Sequence, residues 1–321
     1  MSLPKIELHY HLEGGAPPEL IRELARRHGE DISGIFAPEG GYLYRDFARF
    51  LKVYEAVTSV LRQPEDYARL TRTVLENAAQ AGVIYLETFL SPDFCGGGDV
   101  AAWRDYLHAI AEVRVPGIEL RGVVTCIRHF GGIPARRSAL CAAETAGDFI
   151  VGFGMAGEEG AGRAADFAYA FDMAREAGLG LTAHAGEWGG PASVRDVLTL
   201  GVSRIGHGIG AAQDPALVAQ LAGTGVVLEV CPGSNVALRA VAGWAAHPID
   251  RLRRAGVAVT VSTDDPAFFA TTMEREYTML AETFGWAEAD FTALNRVAAR
   301  AAFCDDLTRA RLLKHLEAPD V

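Results

Sequence analysis

The strongest constraint on the fold is a repeated alternation of short apolar segments with amphipathic segments of helical periodicity. Eight apolar segments are each followed by glycine or another turn residue: KIELHYH, GVIYLETFL, LRGVVTCIR, FIVGFGMAG, GLTAHAGE, RIGHG, VVLEVCPGSN and VAVTVSTDDP. Between the later ones, segments such as ADFAYAFDMAREAG and DPALVAQLAGTG have apolar residues at intervals of three and four and end at glycine. Strands that alternate with helices pair in parallel through right-handed crossovers. We therefore predict an α/β fold, a closed (β/α)8 TIM-type barrel, with a doubly wound open sheet as the alternative.

One connection is much longer than the others. Residues 14–81, between the first and second predicted strands, contain helical patterns such as PPELIRELARRHG and PEDYARLTRTVLENAAQAG, and no predicted strand. A connection that follows the first strand starts at the catalytic end of a barrel and can cover its opening as a lid. An outer packing helix with added decoration would give the same pattern. We predict a helical insertion over residues 14–81 within a single domain that spans residues 1–321.

Charge and cysteine content exclude several classes of partner and site. The 321-residue chain has a formal net charge of −11 at pH 7, which argues against nucleic acid or an anionic membrane as partner. Its five cysteines are scattered, as expected for reduced thiols, and do not suggest a disulfide framework or a thiolate zinc site. No apolar run reaches about 18 residues, and the first residues lack the pattern of a signal peptide. We therefore expect a cytoplasmic protein, and the sequence leaves its oligomeric state open.

Residues with catalytic side chains collect at the ends of the predicted strands. They are His9, His11 and Glu13 after the first strand, Glu158 and Glu159 after the fourth, His184 and Glu187 after the fifth, His207 in the sixth, and Asp264 and Asp265 after the eighth. In a barrel these ends converge on one pocket, and two strand residues one position apart project from the same face. A single His-x-His or Asp-Asp pair is a weak signal, since most such pairs lie on surfaces or loops. Their coincidence at the strand ends predicts one catalytic pocket.

The combination of histidines and a carboxylate predicts a metal site. Three imidazoles and one carboxylate, with a position left for water, are the usual ligands of a catalytic zinc ion. We assign His9, His11, His184 and Asp264 as the ligands of one Zn²⁺ per chain. Such an ion lowers the pKa of bound water toward neutrality. Many barrel hydrolases bridge two metals with a carbamylated lysine at the end of the fourth strand, but FIVGFGMAG contains no lysine, so we predict a single metal.

Two further residues are candidates for proton transfer. Glu187 follows His184 by three residues, so it lies beyond the metal and can reach a bound substrate. A glutamate that is kept protonated beside an apolar residue such as Trp188 is a general acid, although Glu187 could instead orient His184. His207 lies between glycines and could orient the attacking water or accept its proton, or it could be an ordinary hydrogen-bonded core histidine.

Five segments of the chain resemble the adenosine deaminase family of the metal-dependent amidohydrolase superfamily. LPKIELHYHLEG, MAGEE, TAHAGE, RIGHG and VSTDDP occur in the order and spacing of that family, from Leu3 to about Pro266. The resemblance implies a zinc-dependent barrel enzyme that releases ammonia from a 6-aminopurine, and it implies the same four metal ligands. It further implies that Glu187 protonates purine N1 and that His207 aligns the hydroxide that attacks C6.

The resemblance also implies which residues contact the substrate, namely His11, Glu13, Gly157 and Asp265. Asp265 would be hydrogen-bonded to purine N7, and the Gly157 backbone N–H to N3. Enzymes of the family that act on adenosine typically have aspartate at the position of Glu13, where it contacts the ribose, whereas relatives that act on free adenine have glutamate. MAGEE, however, resembles the AGDE of the nucleoside enzymes.

The resemblance therefore implies deamination of adenosine and 2′-deoxyadenosine first, with adenine or another 6-aminopurine nucleoside as the alternative. Two other hypotheses remain open at this point. One is a different one-metal hydrolysis on the same barrel, such as deamination of a non-purine ring. The other is a non-enzymatic binding protein with the same fold, which the presence of ligands, acid and histidine together disfavours.

Overall fold

The strands form a nearly closed parallel barrel. The structure is a computed structural model that describes residues 3–317. Its strands are β1 (Lys5–Glu7), β2 (Val83–Leu90), β3 (Glu119–Ile127), β4 (Ile150–Ala156), β5 (Gly180–Ala185), β6 (Arg204–His207), β7 (Val227–Val230) and β8 (Val259–Val261). They pair in parallel in the order β1-β2-β3-β4-β5-β6-β7-β8. The prediction of a (β/α)8 TIM-type barrel is confirmed, and the open-sheet alternative is wrong.

The barrel closes through the backbone of predicted metal ligands. The His11 N–H donates to the Asp264 carbonyl at 2.9 Å, and the Asp264 N–H donates to the His9 carbonyl at 3.2 Å. These bonds join the chain just beyond β1 to the chain just beyond β8. Side chains that are far apart in the sequence are thereby fixed side by side at the C-terminal end of the barrel, which we call the mouth.

Helices surround the barrel, and some of them contribute to its mouth. Within residues 3–317 they are α1 (Pro18–His28), α2 (Phe47–Thr58), α3 (Pro64–Gln80), α4 (Val100–Ala111), α5 (Gly132–Thr145), α6 (Ala168–Glu176), α7 (Gly190–Leu198), α8 (Pro215–Thr224), α9 (Pro232–Ala237), α10 (Ile249–Arg254), α11 (Pro266–Phe269), α12 (Met273–Phe284), α13 (Glu288–Ala301) and α14 (Asp306–His315). No helix in this part of the chain is both long and apolar enough to cross a lipid bilayer.

The long connection after β1 is helical and reaches the mouth. It contains α1, α2 and α3, and α2 begins at a standard N-cap, since the Asp46 side chain accepts a hydrogen bond from the Arg49 N–H. Phe47, Phe50 and Tyr54 of α2 line the pocket at the mouth. The connection therefore contributes part of the wall of that pocket.

Deeper in the barrel, buried charges pair with one another beneath the mouth. Arg204 lies with its Nε 2.6 Å from Glu229 Oε1 and its Nη2 2.7 Å from Glu87 Oε2. The Phe303 ring covers the guanidinium, with 3.4 Å between the guanidinium carbon and the ring centroid. A Cβ at Gly180 would lie 2.2 Å from the Phe303 ring, so glycine is needed there to admit it. We call Glu87, Arg204, Glu229 and Phe303 the floor cluster.

Candidate functional site

The four predicted metal ligands meet at the mouth of the barrel. Asp264 Oδ1 lies 3.3 Å from His9 Nε2 and 3.3 Å from His11 Nε2. His11 Nε2 lies 3.2 Å from His184 Nε2. The structure thus brings together three imidazole nitrogens and one carboxylate oxygen from β5 and from the segments just beyond β1 and β8. We call these four residues the ligand group.

Hydrogen bonds on the far side of two imidazoles fix which nitrogen faces this point. His9 Nδ1 lies 2.9 Å from Glu229 Oε2, and His184 Nδ1 lies 2.9 Å from the Met155 carbonyl. A carbonyl or carboxylate oxygen only accepts, so both Nδ1 atoms donate and both Nε2 atoms carry a lone pair in the neutral ring. His9 Nε2 is buried 3.3 Å from Asp264 Oδ1 and has no hydrogen-bond partner among the described residues.

Local backbone geometry permits this convergence. Asp264 has φ 68°, a left-handed conformation that non-glycine residues rarely adopt and that often occurs at functional sites. Its other carboxylate oxygen, Oδ2, accepts a hydrogen bond from Ser234 Oγ at 2.6 Å. A Cβ at Gly206 would lie 2.8 Å from the His9 ring, so only glycine leaves room for the imidazoles.

The ligand group fits a divalent metal ion. Ligand atoms of a tetrahedral zinc ion with bonds of about 2.0–2.1 Å lie roughly 3.3 Å apart. The separations from His11 to His184 and from Asp264 to His9 and His11, which are 3.2 and 3.3 Å, match this value. The lone pairs on His9 Nε2 and His184 Nε2 lie beside the Asp264 carboxylate and His11, an arrangement that a cation would stabilise. The carboxylate–histidine contact from Glu229 to His9 is also typical of metal sites.

His207 lies in the same cluster but differs from the ligands in its hydrogen bonding. Its ring lies within 4.8 Å of ligand atoms from His9, His184 and Asp264. However, the Asn235 side-chain N–H donates to His207 Nδ1 at 3.2 Å, so in the neutral ring His207 Nε2 carries the hydrogen. Burial lowers the pKa of His207 to about 4, so the ring is neutral near pH 7. A nitrogen that carries hydrogen is a donor and not a ligand.

The orientation of the Asn235 amide is itself fixed by a chain of hydrogen bonds. The Ile249 N–H donates to His247 Nδ1 at 3.2 Å, which leaves the hydrogen of His247 on Nε2. His247 Nε2 donates to Asn235 Oδ1 at 3.2 Å. The Asn235 NH2 group therefore points to His207 Nδ1 and to Glu187 Oε1, which lies 3.3 Å away.

Glu187 has the environment of a general acid. Burial raises its pKa to about 8, and the nearby Asp264 carboxylate adds to this effect. Its Oε1 accepts from Asn235, whereas its Oε2 lies 3.8 Å from His207 Nε2. The alternative role as a hydrogen-bond partner of His184 does not apply, because His184 Nδ1 contacts the Met155 carbonyl instead.

The loop that carries Glu187 is held by Glu159. Its carboxylate accepts hydrogen bonds from the Trp188 N–H at 2.6 Å, the Gly189 N–H at 3.1 Å and the Gly186 N–H. Glu158, its neighbour in MAGEE, is exposed and does not line the pocket. The two acids of this motif therefore differ: Glu159 supports the loop after β5, and Glu158 faces solvent.

The predicted substrate-contacting residues line one pocket. His11, Glu13, Gly157 and Asp265 all border it together with Glu187. Most of the remaining wall is apolar and aromatic. Burial and the Asp264 charge raise the pKa of Asp265, and its Oδ1 has no hydrogen-bond partner. A largely apolar pocket with a few unpaired polar atoms is typical of a small-molecule site.

Several residues of the site were not assigned from the sequence. They are Tyr54, Tyr67, Glu229, Ser234, Asn235 and His247. A detectable signal existed for Glu229, because a charged residue stood inside the apolar strand VVLEV. The tyrosines and His247 carried no comparable signal, since their roles depend on how connections outside the strands pack.

Comparisons with known proteins agree along nearly the whole chain. A family model described as adenosine deaminase matches residues 4–319. A protein of Rhizobium leguminosarum bv. trifolii (strain WSM2304) named adenine deaminase is 50% identical over 323 residues, covering 98% of this chain and 99% of that protein. The crystal structure of an adenine deaminase from Arthrobacter aurescens has 32% identity and a TM-score of 0.86, covering 98% of each chain. A zinc-bound amidohydrolase from Burkholderia ambifaria has 27% identity and a TM-score of 0.86, covering 98% of this chain and 90% of that one.

Proposed function

The chain belongs to the adenosine deaminase family, and from this premise we propose that it catalyses the hydrolytic deamination of free adenine. The reaction converts adenine and water to hypoxanthine and ammonia. The observation that most supports a metal-dependent deaminase is the convergence of three imidazoles and the Asp264 carboxylate beside the buried acid Glu187. Relatives named adenine deaminase support the substrate.

We propose that the ligand group, His9, His11, His184 and Asp264, holds one zinc ion. The three histidines and one carboxylate are the donor types that catalytic zinc prefers. When bound, the ion would lower the pKa of water and so supply a nucleophile at neutral pH. The zinc-bound relative supports this choice of metal.

Glu187 is the proposed general acid. Its Oε1 already accepts a hydrogen bond from Asn235, so its proton resides on Oε2. With a pKa of about 8 the carboxyl is protonated at neutral pH. Transfer of this proton to the ring nitrogen beside the reacting carbon lets the purine ring accept the electron pair displaced by the attack. The Asn235 amide keeps the carboxyl in the orientation needed for the transfer.

His207 is proposed to orient the attacking oxygen. The sequence left open whether His207 would orient water or accept its proton. The hydrogen bond from Asn235 to His207 Nδ1 supports the first role, because Nε2 then carries a hydrogen and can only donate. The low pKa of this buried ring, about 4, favours the same neutral form.

Free adenine is favoured over adenosine, which the sequence placed first. MAGEE had suggested a nucleoside enzyme, but Glu158 is exposed, Glu159 accepts hydrogen bonds from the loop after β5, and neither lines the pocket, so this motif carries little information about a sugar. Glu13, the residue where adenosine and adenine enzymes differ, is 2% exposed and is held by two tyrosine hydroxyls. A buried, restrained carboxyl is poorly suited to contact a flexible sugar.

The proposal is tested by kcat/KM for ammonia release from adenine, adenosine, 2′-deoxyadenosine and N6-substituted adenines on one zinc-loaded preparation. We expect adenine to exceed adenosine by about 100-fold or more, because a site built around a hydrogen bond to the substrate discriminates strongly. A preparation of Glu187→Gln serves as the background control. Preference for adenosine, or turnover of only a pyrimidine or pterin, would overturn the proposal.

A further inference from the structure

Two tyrosines of the helical connection hold the carboxyl of Glu13 from opposite sides. Tyr54 of α2 donates from its hydroxyl to Glu13 Oε2 at 3.1 Å. Tyr67 of α3 donates to Glu13 Oε1 at 3.0 Å. Tyr67 is completely buried, and Tyr54 lines the pocket. We call these three residues the Glu13 clamp.

The clamp fixes the position of Glu13 but does not saturate it. Each oxygen of a carboxylate can accept two hydrogen bonds, and each tyrosine uses one of these positions. Glu13 is 2% exposed, so the water available in solution is largely excluded. Burial raises the pKa of Glu13, and the bonds from Tyr67 and Tyr54 oppose that rise. Glu13 lines the substrate pocket, so its remaining acceptor positions can be used by a bound substrate.

Glu13 lines the same pocket as Glu187 and three residues of the ligand group, and the residue next to it packs on Asp265. The reacting carbon and its neighbouring ring nitrogen must lie at the ligand group and Glu187. Glu13 shares no hydrogen-bond partner with Glu187, whereas the adjacent Gly14 packs so closely on Asp265 that a Cβ there would lie 1.9 Å from its Oδ1. Within residues 3–317, Glu13 and Asp265 have no cationic partner, and we infer that these two carboxyls face the imidazole ring of a bound purine.

A free 6-aminopurine base has one hydrogen on an imidazole nitrogen, whichever tautomer it adopts. A nucleoside has its sugar on N9 and carries no hydrogen on either imidazole nitrogen in its neutral form. A buried acceptor that meets this N–H is satisfied by the base and left unpaired by the nucleoside. Unpaired polar groups in a desolvated site are the basis of the strongest substrate discrimination by enzymes.

We propose that Tyr54 and Tyr67 are positioning residues that hold Glu13 as the acceptor for the imidazole N–H of a free base, so that the clamp selects base over nucleoside. This inference rests on the proposed function, since it explains selectivity for adenine. The clamp also gives the connection between β1 and β2 a chemical role, because both tyrosines come from it.

The first experiment measures kcat/KM for adenine and 9-methyladenine, which lacks an imidazole N–H but has no sugar. The proteins are wild type, Tyr54→Phe, Tyr67→Phe and the double variant. We expect wild type to favour adenine by about 100-fold or more, and the double variant to favour it by less than about 10-fold. The phenylalanine rings preserve packing. A general folding defect would lower kcat/KM equally for both substrates and would leave the ratio of adenine to 9-methyladenine unchanged.

Two further variants separate hydrogen bonding from bulk. Glu13→Gln keeps the size of the side chain but replaces one acceptor oxygen with an NH2 donor, so we expect kcat/KM for adenine to fall about 10- to 100-fold with little change for 9-methyladenine. Tyr44→Phe is the matched control, because its hydroxyl donates to the Phe268 carbonyl at 2.9 Å and not to Glu13. The control is expected to keep the wild-type ratio.

The possible failures are distinguishable. If wild type prefers adenosine to adenine, the proposed function is refuted and the clamp hypothesis with it. If wild type prefers adenine but turns over 9-methyladenine within about threefold of adenine, only the clamp hypothesis is refuted. The clamp hypothesis alone is also refuted if Glu13→Gln or the double tyrosine variant retains the wild-type ratio of adenine to 9-methyladenine.

Discussion

The mouth and the floor of the barrel both bury charged side chains, but they partner them differently. In the floor cluster, Arg204 pairs with both Glu87 and Glu229 at 2.6–2.7 Å. Although burial acts to raise it, the Arg204 guanidinium holds the pKa of Glu229 below its ordinary value. At the mouth, Glu187 and Asp265 have no cationic partner within the described residues 3–317, and burial raises the pKa of both.

Backbone strain shows the same division. Within residues 3–317, the non-glycine residues with positive φ are His207, Arg239, Asp264 and Ala270. All four lie at or beyond the C-terminal ends of β6, β7 and β8. His207 and Asp264 belong to the mouth, where a strained backbone often accompanies function, whereas the floor uses its charges in pairs. Glu229 connects the two regions, because it contacts both Arg204 and His9.

The largest effect should come from removing the acid at the mouth. Glu187→Gln should lower kcat for adenine by about 10³-fold or more, because the glutamine cannot supply the proton. The melting temperature should stay at or above that of wild type, because the substitution removes a buried carboxyl that has no cation to stabilise its charge. The measurement is steady-state kinetics together with thermal unfolding. Glu158→Gln, at an exposed position, is the control and should stay near wild type.

The opposite pattern is expected at the floor. Arg204→Met leaves the Glu87 and Glu229 carboxylates buried without their cation, which should cost about 3–5 kcal/mol in the free energy of unfolding. Urea denaturation measures this value. Arg195→Met is the matched control: Arg195 pairs with Asp214 at 2.6 Å but is 43% exposed, and surface pairs contribute at most about 1 kcal/mol. Equal losses of unfolding free energy in the two variants would show that the buried pairs of the floor stabilise the fold no more than a surface pair does.

A third test compares pH dependence at a buried carboxyl that has donors but no cation. Glu276 accepts hydrogen bonds from the Gly233 N–H at 2.9 Å and Thr271 Oγ1 at 2.5 Å, and burial raises its pKa to about 7. The folded protein therefore binds this proton more tightly than the unfolded chain, for which the ordinary value is 4.5. The resulting stability is complete below about pH 4.5 and is lost as pH rises through 7.

We expect wild type to lose about 2–3 kcal/mol of stability at this site between pH 4.5 and pH 7.5. Glu276→Gln should not show this loss, because its side chain does not titrate. Unfolding free energies measured across this pH range provide the comparison, with Glu282→Gln, at an exposed position on the same helix, as the control. Parallel pH profiles for wild type and Glu276→Gln would contradict the assignment.

The smallest effect concerns packing in the floor cluster. Gly180→Ala places a methyl group against the Phe303 ring and should cost about 1–3 kcal/mol of stability through overpacking. Activity per folded molecule should change little, because the mouth is not touched. Gly147→Ala, where a Cβ meets no atom within 4 Å, is the control. A loss of activity in Gly180→Ala without a loss of stability would show that the two regions are coupled more tightly than described.

The barrel and the ligand group were predictable because they depend on simple regularities. Alternating strands and helices specify a parallel barrel, and a barrel brings its strand ends together whatever the details of its loops. His9, His11, His184 and Asp264 could therefore be grouped from their positions alone. The residues alone left open whether His207 would orient the attacking water or accept its proton, since the tautomer of His207 is determined by Asn235 and, through it, by His247.

The substrate was harder to predict for a related reason. Glu13 was visible in the sequence, but its partners Tyr54 and Tyr67 lie 41 and 54 residues away in a helical connection whose packing no periodicity specifies. MAGEE indicated a nucleoside substrate because its residues resemble the AGDE motif of the nucleoside enzymes. The sequence does not show that Glu158 faces solvent. Sequence patterns predicted which residues form the catalytic pocket. Substrate selectivity depends on contacts between separate helices and loops, which those patterns do not specify.

The central claim is that one metal ion at the ligand group makes the mouth catalytic for adenine. The most direct measurement is a titration of the metal-free protein with Zn²⁺ while ammonia release from adenine is followed. We expect no turnover without metal and a linear rise that ends at one equivalent per chain, with Asp264→Asn showing weakened zinc binding by metal analysis. Full turnover by the metal-free protein, or a requirement for two equivalents, would contradict the account.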